Sequence, residues 1–177
     1  AWTQINNIIE EANATLTMIP MLLGGVFKET GNVSPATVPA KGKWMNNDLK
    51  KHAELYNVEF NSNSFFPINT LNLMRGAIAA QNMDIFQKYS EAIFTGIWVK
   101  DLNLGDISIL QDYLDKSDIN TVKLFDLAQS DEVKTILIQN TKKAVAKGVF
   151  GAPTFLIGDE LIFGQDRLNF LKLALKL

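Results

Sequence analysis

Two short segments near the end of the chain combine residue types that could bind a small ligand carrying both charges. In the first, Pro153 opens a predicted strand that the pair Gly158-Asp159 turns back as a hairpin. In the second, Gln165 and Asp166 open the last predicted helix. Free N–H groups at a helix start attract a carboxylate, and an acidic side chain beside them can hold an ammonium group. Such a corner suits the α-amino acid end of a molecule.

Both segments also have ordinary structural interpretations. Most prolines that follow a glycine and an alanine at the start of a strand are turn residues without a ligand, and Pro153 fits that description. An acid in the first turn of a helix stabilises the helix dipole, which is sufficient reason for Asp166. The residues alone leave both alternatives open.

Other kinds of chemistry find little support in the sequence. None of the 177 residues is cysteine, which excludes a disulfide framework, a thiolate metal site and a CxxC pair within them. His52 is the only histidine and lies among Trp44, Leu49 and Tyr56 on a predicted helix, which favours a packing or half-exposed role. No cluster has metal-ligand spacing, so we predict no metal site. The net charge of −2, with acids and bases interleaved, predicts no nucleic-acid partner.

The elements that must position the two segments follow from periodicity and turn signals. Thr15 to Ile19 alternates polar and apolar residues and is predicted to be a strand. A loop-rich stretch at 24–42 contains four glycines and two prolines. Helical spacing predicts helices at 2–12, 43–56, 70–78, 86–97, after 106, near 120, 133–147 and 168–175. Short apolar runs on either side of the Gly158-Asp159 turn predict strands at 154–157 and 161–163.

These elements predict one small sheet flanked by the terminal helices, with the helical block 31–130 inserted into it. With 47% hydrophobic residues the chain can bury a sizeable core. Its apolar runs are interrupted by Pro and Gly and are too short for a bilayer span, and its start does not read as a signal peptide. We therefore expect a cytoplasmic protein with no membrane partner.

Three runs of the sequence resemble 2-hydroxychromene-2-carboxylate isomerases, in the same order along the chain. They are GVFGAPTFLIGDELIFGQDRL at 148–168, KGKWMNNDLKKHAE at 41–54 and FPINTLNLMR at 66–75. Kappa-class glutathione transferases and DsbA-like oxidoreductases share the fold of that family. The resemblance implies an α/β, thioredoxin-like fold with an inserted all-helical domain. Residues 1–30 and 131–177 would form the discontinuous thioredoxin-like domain, with its first strand missing, and 31–130 the insertion.

The resemblance also implies roles for particular residues. Pro153 would be cis, and the backbone of Ala152 would pair with the cysteinyl part of glutathione. Gln165 and Asp166 would bind its γ-glutamyl end. The remaining positions that match the glutathione and substrate pocket of relatives are Asn32 and Lys41. A lysine there could receive a carboxylate of glutathione or of substrate, although on its own it reads as an ordinary solvated loop lysine.

An aromatic substrate wall is implied at weaker positions, which are Trp44, Phe66, Asn69, Thr70 and Trp98. For these the alternative is a role in helix packing. The family's catalytic serine belongs to a Ser-Pro-Tyr-like motif after the first strand, and we expect both to lie before Ala1, so no catalytic residue is assigned within the chain.

The function implied is that of a glutathione-dependent isomerase of the 2-hydroxychromene-2-carboxylate isomerase type. Glutathione would be the cofactor, and a small aromatic enone or hemiketal carboxylate would be the substrate. Three alternatives stay open: a kappa-like glutathione transferase, a DsbA-like disulfide oxidoreductase, and a non-catalytic thioredoxin-like binding protein. A homodimer is expected only because relatives are often dimers.

Overall fold

The computed structural model describes residues 1–177, which form nine α-helices and one two-stranded sheet. The helices are α1 (Trp2–Glu11), α2 (Leu23–Thr30), α3 (Pro39–Leu55), α4 (Leu71–Asn82), α5 (Phe86–Trp98), α6 (Ile107–Asp115), α7 (Thr121–Ala128), α8 (Asp131–Ala146) and α9 (Leu168–Ala174). The strands are β1 (Thr154–Ile157) and β2 (Glu160–Phe163), and 3₁₀ turns occur at Pro35–Thr37 and Gln165–Arg167. None of the helices combines the length and apolar character that crossing a bilayer requires.

The residues separate into two compact units. The first contains Ala1–Ile19, Leu23–Val58 and Lys142–Leu177, and the second contains Pro20–Leu22 and Glu59–Thr141. Each unit has its own buried apolar cluster, as expected for a part of a chain that excludes water by itself.

The first unit is built around the β1–β2 hairpin. Its core contains Ile5 and Ile8 from α1, Ile162 from β2, and Leu168 and Leu171 from α9. The apolar spacing that predicted α1 and α9 therefore marks the faces that these helices bury, which is the usual cause of such a pattern in short helices.

The hairpin turn lies at the predicted Gly158-Asp159 pair. The strands are antiparallel, Ile157 pairs with Glu160, and Gly158 in the turn between them has φ +57°. A positive φ is readily adopted by glycine, which is why a Gly-containing pair suits a two-residue hairpin turn.

The second unit is all-helical and buries its largest side chains where α4, α5, α6 and α7 meet. Tyr89 is 2% exposed, and its hydroxyl donates a hydrogen bond of 2.9 Å to the carbonyl of Leu73. This burial raises the pKa of Tyr89 above its ordinary value, because the charged phenolate would lose its hydration. α4 lies close against this ring, since a Cβ atom at Gly76 would collide with the Tyr89 hydroxyl.

Side-chain caps explain why several helix starts were predictable. Asp106 accepts hydrogen bonds from the amides of Ser108 and Ile109, and Asn120 accepts one from Lys123. These bonds satisfy amides that have no partner within the first turn of a helix.

Two sequence predictions near the start of the chain were wrong. Residues 15–19 alternate in exposure as a strand would, but they are not part of the sheet, which contains only β1 and β2. The stretch predicted as loop contains α2 at Leu23–Thr30 despite Gly24 and Gly25. Packing supplies the missing stability there, because Val26 is fully buried.

The predicted division into a thioredoxin-like domain and an insertion differs in its bounds from the compact units. Residues 31–58, which we predicted to belong to the insertion, lie in the first unit. Compactness and family domains are different criteria, so the division at 31–130 stays a prediction.

Candidate functional site

The start of β1 presents a stretch of backbone without hydrogen-bond partners. The Ala152–Pro153 peptide bond is cis, Ala152 is exposed, and neither its N–H nor its C=O bonds to another residue. Exposed backbone groups of this kind can pair with the peptide groups of a ligand, as a further strand would. The predicted cis geometry at Pro153 is confirmed.

Asn32 holds the segment that leads to this cis bond. Its side-chain Nδ2 donates a 2.8 Å hydrogen bond to the carbonyl of Phe150, and its Oδ1 accepts one of 2.8 Å from the amide of Val33. Both the nitrogen and the oxygen of the Asn32 side-chain amide thus form a hydrogen bond within the protein. Asn32 therefore supports the loop before Ala152, and its exposed side chain keeps a second N–H that could still reach a ligand.

The same loop is packed closely against β2. The Phe150 and Phe163 rings lie 4.6 Å apart between centroids, and Gly151 lies so close to Phe163 that an added Cβ atom would approach the ring at 2.6 Å. A real Cβ does not tolerate such a distance, so the loop needs glycine at this position.

A backbone hydrogen bond joins the two segments that the sequence singled out. The amide of Gly164 donates to the carbonyl of Pro153 over 3.0 Å, so Gln165 and Asp166 follow directly beside the cis proline. Asp166 is exposed and makes no side-chain hydrogen bond or ion pair. Its carboxylate is therefore available to a cation from solution.

α3 supplies three further polar or aromatic residues of the first unit. Gln165 Nε2 donates a 3.2 Å hydrogen bond to Asp48 Oδ2. Lys41 lies seven residues before Asp48 in the same helix, which places it on nearly the same face about 10 Å away along the axis. Lys41 is exposed and forms no ion pair, and Trp44 is 67% exposed.

Four of the predicted substrate-wall residues lie in the second unit. Phe66 and Trp98 are in contact, with ring centroids 5.8 Å apart, and Phe66 is 43% exposed. Asn69 accepts a hydrogen bond from the amide of Leu71, and Thr70 occupies the cap position of α4 without a side-chain cap bond. Asn69 therefore supports a helix start, whereas Phe66 offers ring surface.

The aromatic pair has a third member that the sequence did not indicate. Phe60 stacks on Trp98 at 5.7 Å between centroids, with the planes inclined by 20°. Nothing in its spacing distinguishes Phe60 from a core residue. Its position depends on a loop that returns to the end of α5.

That loop is attached to the end of α5 by polar side chains. Asn63 Nδ2 donates to the carbonyls of Ile97 and Leu102, both over 3.0 Å. Asp101 accepts two hydrogen bonds of 2.6 Å, from the hydroxyl and from the amide of Ser64. The hydroxyl bond first, and then the amide bond, lower the pKa of the Asp101 carboxyl below its ordinary value.

Asp48 is the residue in the first unit that sequence reasoning missed. It lies four residues before His52 in α3, and the carbonyl of Asp48 lies 3.0 Å from His52 Nδ1. The i, i+4 spacing of an acid and the only histidine was a readable signal. The contact of Asp48 with Gln165, 117 residues away, leaves no signal that can be read from the sequence.

The chain belongs to the DSBA-like thioredoxin domain family, which it matches over residues 1–176. The predicted thioredoxin-like α/β fold is thereby confirmed. A solved structure of 2-hydroxychromene-2-carboxylate isomerase superposes with a TM-score of 0.86 at 20% sequence identity, covering 99% of this chain and 86% of that one.

Relatives of the chain include kappa-class glutathione transferases and 2-hydroxychromene-2-carboxylate isomerases. Glutathione S-transferase kappa 2 of Caenorhabditis elegans is 30% identical over 182 residues, covering 86% of this chain and 75% of the relative. Glutathione S-transferase kappa 1 of Rattus norvegicus is 27% identical, covering 90% and 76%. The 2-hydroxychromene-2-carboxylate isomerase of Sphingobium xenophagum is 26% identical, covering 80% and 73%.

Proposed function

We propose that this protein is a glutathione-dependent isomerase of the 2-hydroxychromene-2-carboxylate isomerase type. The observation that carries the proposal is the unpaired backbone of Ala152 at a cis proline, joined by one hydrogen bond to the Gln165-Asp166 pair. The names of the relatives supply the chemical class. Cytoplasmic location and a homodimer stay predictions.

The groups available in the first unit fit the parts of glutathione. The N–H and C=O of Ala152 would pair with the backbone of its cysteinyl residue, as a strand pairs with its neighbour. Asp166, helped by Gln165, would hold the ammonium group at the γ-glutamyl end. Asn32 would act by keeping Phe150, and hence the loop before Ala152, in place.

Lys41 would bind a carboxylate at the opposite end of the ligand. An extended tripeptide is about 10 Å long, and Lys41 lies about 10 Å along α3 from Asp48, the partner of Gln165. This agreement favours the glycine carboxylate of glutathione over a substrate carboxylate. A lysine without an ion pair can accept such a charge without breaking an existing contact.

Bound glutathione would supply the thiol that adds reversibly across the carbon–carbon double bond of an enone. That bond is then single and can rotate, and elimination of the thiol re-forms the double bond in the other geometry. The chain's own contribution is to hold the tripeptide in one orientation, which lowers the entropic cost of the reaction. Contacts with the aromatic acid stay predictions, for Trp44 in the first unit and, in the second unit, for Phe66, Asn69, Thr70 and Trp98. The catalytic serine expected from the resemblance stays a prediction, and no residue of 1–177 is assigned that role.

The proposal is tested by following isomerisation of a benzylidenepyruvate by absorbance, with and without glutathione. We expect turnover that requires glutathione but does not consume it. Lys41→Ala should raise the glutathione concentration needed for half-maximal rate about tenfold, the equivalent of one charge-assisted contact. Lys43→Ala, an exposed lysine on another face of α3, is the matched control. Turnover without glutathione would contradict the proposal.

A kappa-like glutathione transferase is the second candidate, because the kappa transferases include the relative at 30% identity. Such an enzyme would conjugate glutathione to an electrophile and consume it. Measuring free thiol during the same assay distinguishes the two, since loss of thiol in step with product indicates the transferase and constant thiol indicates the isomerase.

A further inference from the structure

Asp48 connects the predicted γ-glutamyl contact Gln165 to the only histidine of the chain. Gln165 Nε2 donates to Asp48 Oδ2 over 3.2 Å, and His52 Nδ1 lies 3.0 Å from the carbonyl and 3.4 Å from Oδ2 of Asp48. The side chains of His52 and Asp48 are only 21% and 24% exposed. This partial burial restricts the orientations that the three groups can adopt.

The contact determines which side of the Gln165 amide faces outward. A carboxylate can only accept hydrogen bonds, whereas an amide has an NH₂ donor on one side and an oxygen acceptor on the other. Because Nε2 faces Asp48, the acceptor Oε1 is directed away from it, and no residue donates a hydrogen bond to Oε1. An acceptor on the residue next to Asp166 in the chain suits an ammonium group that the Asp166 carboxylate would also attract.

We propose that Asp48 is a positioning residue that holds the Gln165 amide with Oε1 toward the ammonium group of the ligand. The proposal rests on the proposed function, since it assumes that the γ-glutamyl end of glutathione lies at Gln165 and Asp166. Asp48 acts through Gln165 and does not contact the ligand. His52 contributes through its contact with the backbone carbonyl of Asp48 and makes no hydrogen bond to the side-chain amide of Gln165.

A merely structural role for Asp48 would have a different signature. If Asp48 only stabilised α3, its replacement would weaken the binding of every ligand of the site to a similar extent. If it orients Gln165, its replacement weakens only ligands that present an ammonium group there. Glutaryl-cysteinyl-glycine is the matched probe, because it equals glutathione without the α-amino group.

The test is calorimetric titration of the protein and its Asp48→Asn variant with each of these two ligands. Asn has nearly the shape of Asp but has no charge and only one acceptor oxygen beside its NH₂ group, so the Gln165 amide is no longer held in a single orientation. We expect the affinity for glutathione to fall about tenfold, the effect of losing one hydrogen bond to a charged group, and that for the analogue to stay within about twofold. Equal losses for both ligands, or no loss, would overturn the proposal.

A double-mutant cycle adds a second measurement that does not depend on the shape of asparagine. In the Gln165→Ala background, Asp48→Ala should change the affinity for glutathione less than about twofold, because the two residues act as one unit. Fully additive effects would contradict the proposal. Glu11→Gln, which removes the partner of Lys172 elsewhere in the first unit, is the control and should leave both affinities unchanged.

The outcome for the unmodified protein separates this inference from the function on which it rests. If the unmodified protein does not bind glutathione, both are overturned. If it binds glutathione and Asp48→Asn binds equally well, only the role of Asp48 is lost. Circular dichroism of each variant checks that the helices are intact.

Discussion

Gly164 lies directly before the Gln165-Asp166 pair in a backbone conformation that few other residues adopt. Its φ is +109° and its ψ 145°, a region used almost only by glycine. A Cβ atom added to Gly164 would also collide with the carboxylate of Asp166. The acidic side chain therefore lies over the glycine, and both its position and the turn depend on the missing Cβ.

Gly164→Ala is expected to reduce both stability and binding. The strained backbone should lower the free energy of unfolding by about 1–3 kcal/mol, and displacement of Asp166 should weaken the binding of glutathione. Urea denaturation measures the first effect and calorimetric titration the second.

Gly24→Ala is the control for that prediction. Nothing lies within 4 Å of a Cβ atom at Gly24, which is in α2, so alanine should keep or raise the free energy of unfolding by about 0.4–1 kcal/mol. Equal stabilities for the two alanine variants would contradict the interpretation of Gly164.

Sequence reasoning at the residue scale succeeded where a motif carried the information. The cis bond at Pro153 was predicted from the resemblance of 148–168 and is confirmed. Asp48 was not predicted, because its partner Gln165 is 117 residues away and a hydrogen bond of that kind leaves no local pattern. The roles of the remaining site residues stay predictions until ligand binding is measured.

The loop that carries Phe60 and Phe66 depends on an ionised side chain at the end of α5. Asp101 is bonded to the hydroxyl and amide of Ser64, and these bonds lower its pKa. A carboxyl whose pKa is lowered in the folded protein stabilises that protein above its ordinary pKa of about 3.9, and the contribution is lost as pH falls through the lowered value.

Ser64→Ala is therefore expected to raise the pKa of Asp101 toward its ordinary value, because the hydroxyl bond is the larger cause of the shift. The carboxyl carbon of Asp101 can be followed by NMR between pH 7 and pH 2. Ser62→Ala, an exposed serine of the same loop without a side-chain partner, should leave the titration unchanged. An unchanged titration midpoint of Asp101 in Ser64→Ala would show that the Ser64 hydroxyl does not lower the pKa of this carboxyl.

Elements were predictable where local signals agreed and were missed where tertiary packing decided. α6 and α7 were predicted from Asp106 and Asn120, which cap them. α2 was missed because Gly24 and Gly25 are poor helix formers, and its stability comes from burying Val26. Residues 15–19 alternate in exposure like a strand but are not part of the sheet, because alternation does not by itself determine which segments pair.

At the scale of the whole molecule, ligand binding should stabilise the folded chain. A ligand at a hundredfold excess over its Kd adds about 2.7 kcal/mol to the free energy of unfolding when it binds only the folded state. For a chain of this size, that corresponds to a rise in Tm of roughly 5–10 °C. Glutathione should produce this shift in a thermal melt. Free cysteine, which has the thiol but no peptide group for Ala152, should not, and equal shifts would contradict the backbone pairing.

The hydrogen bonds that assemble the first unit's site span most of the chain. Asn32 bonds to Phe150, 118 residues later, and Gln165 to Asp48, 117 residues earlier. A ribosome that adds about 5–20 residues per second needs several seconds between the two halves. These hydrogen bonds cannot form on a nascent chain until Phe150 and Gln165 have emerged. A ligand of this site, which we propose to be glutathione, could therefore bind only after these residues have emerged, so its concentration should influence the lifetime of the folded protein rather than the early steps of folding.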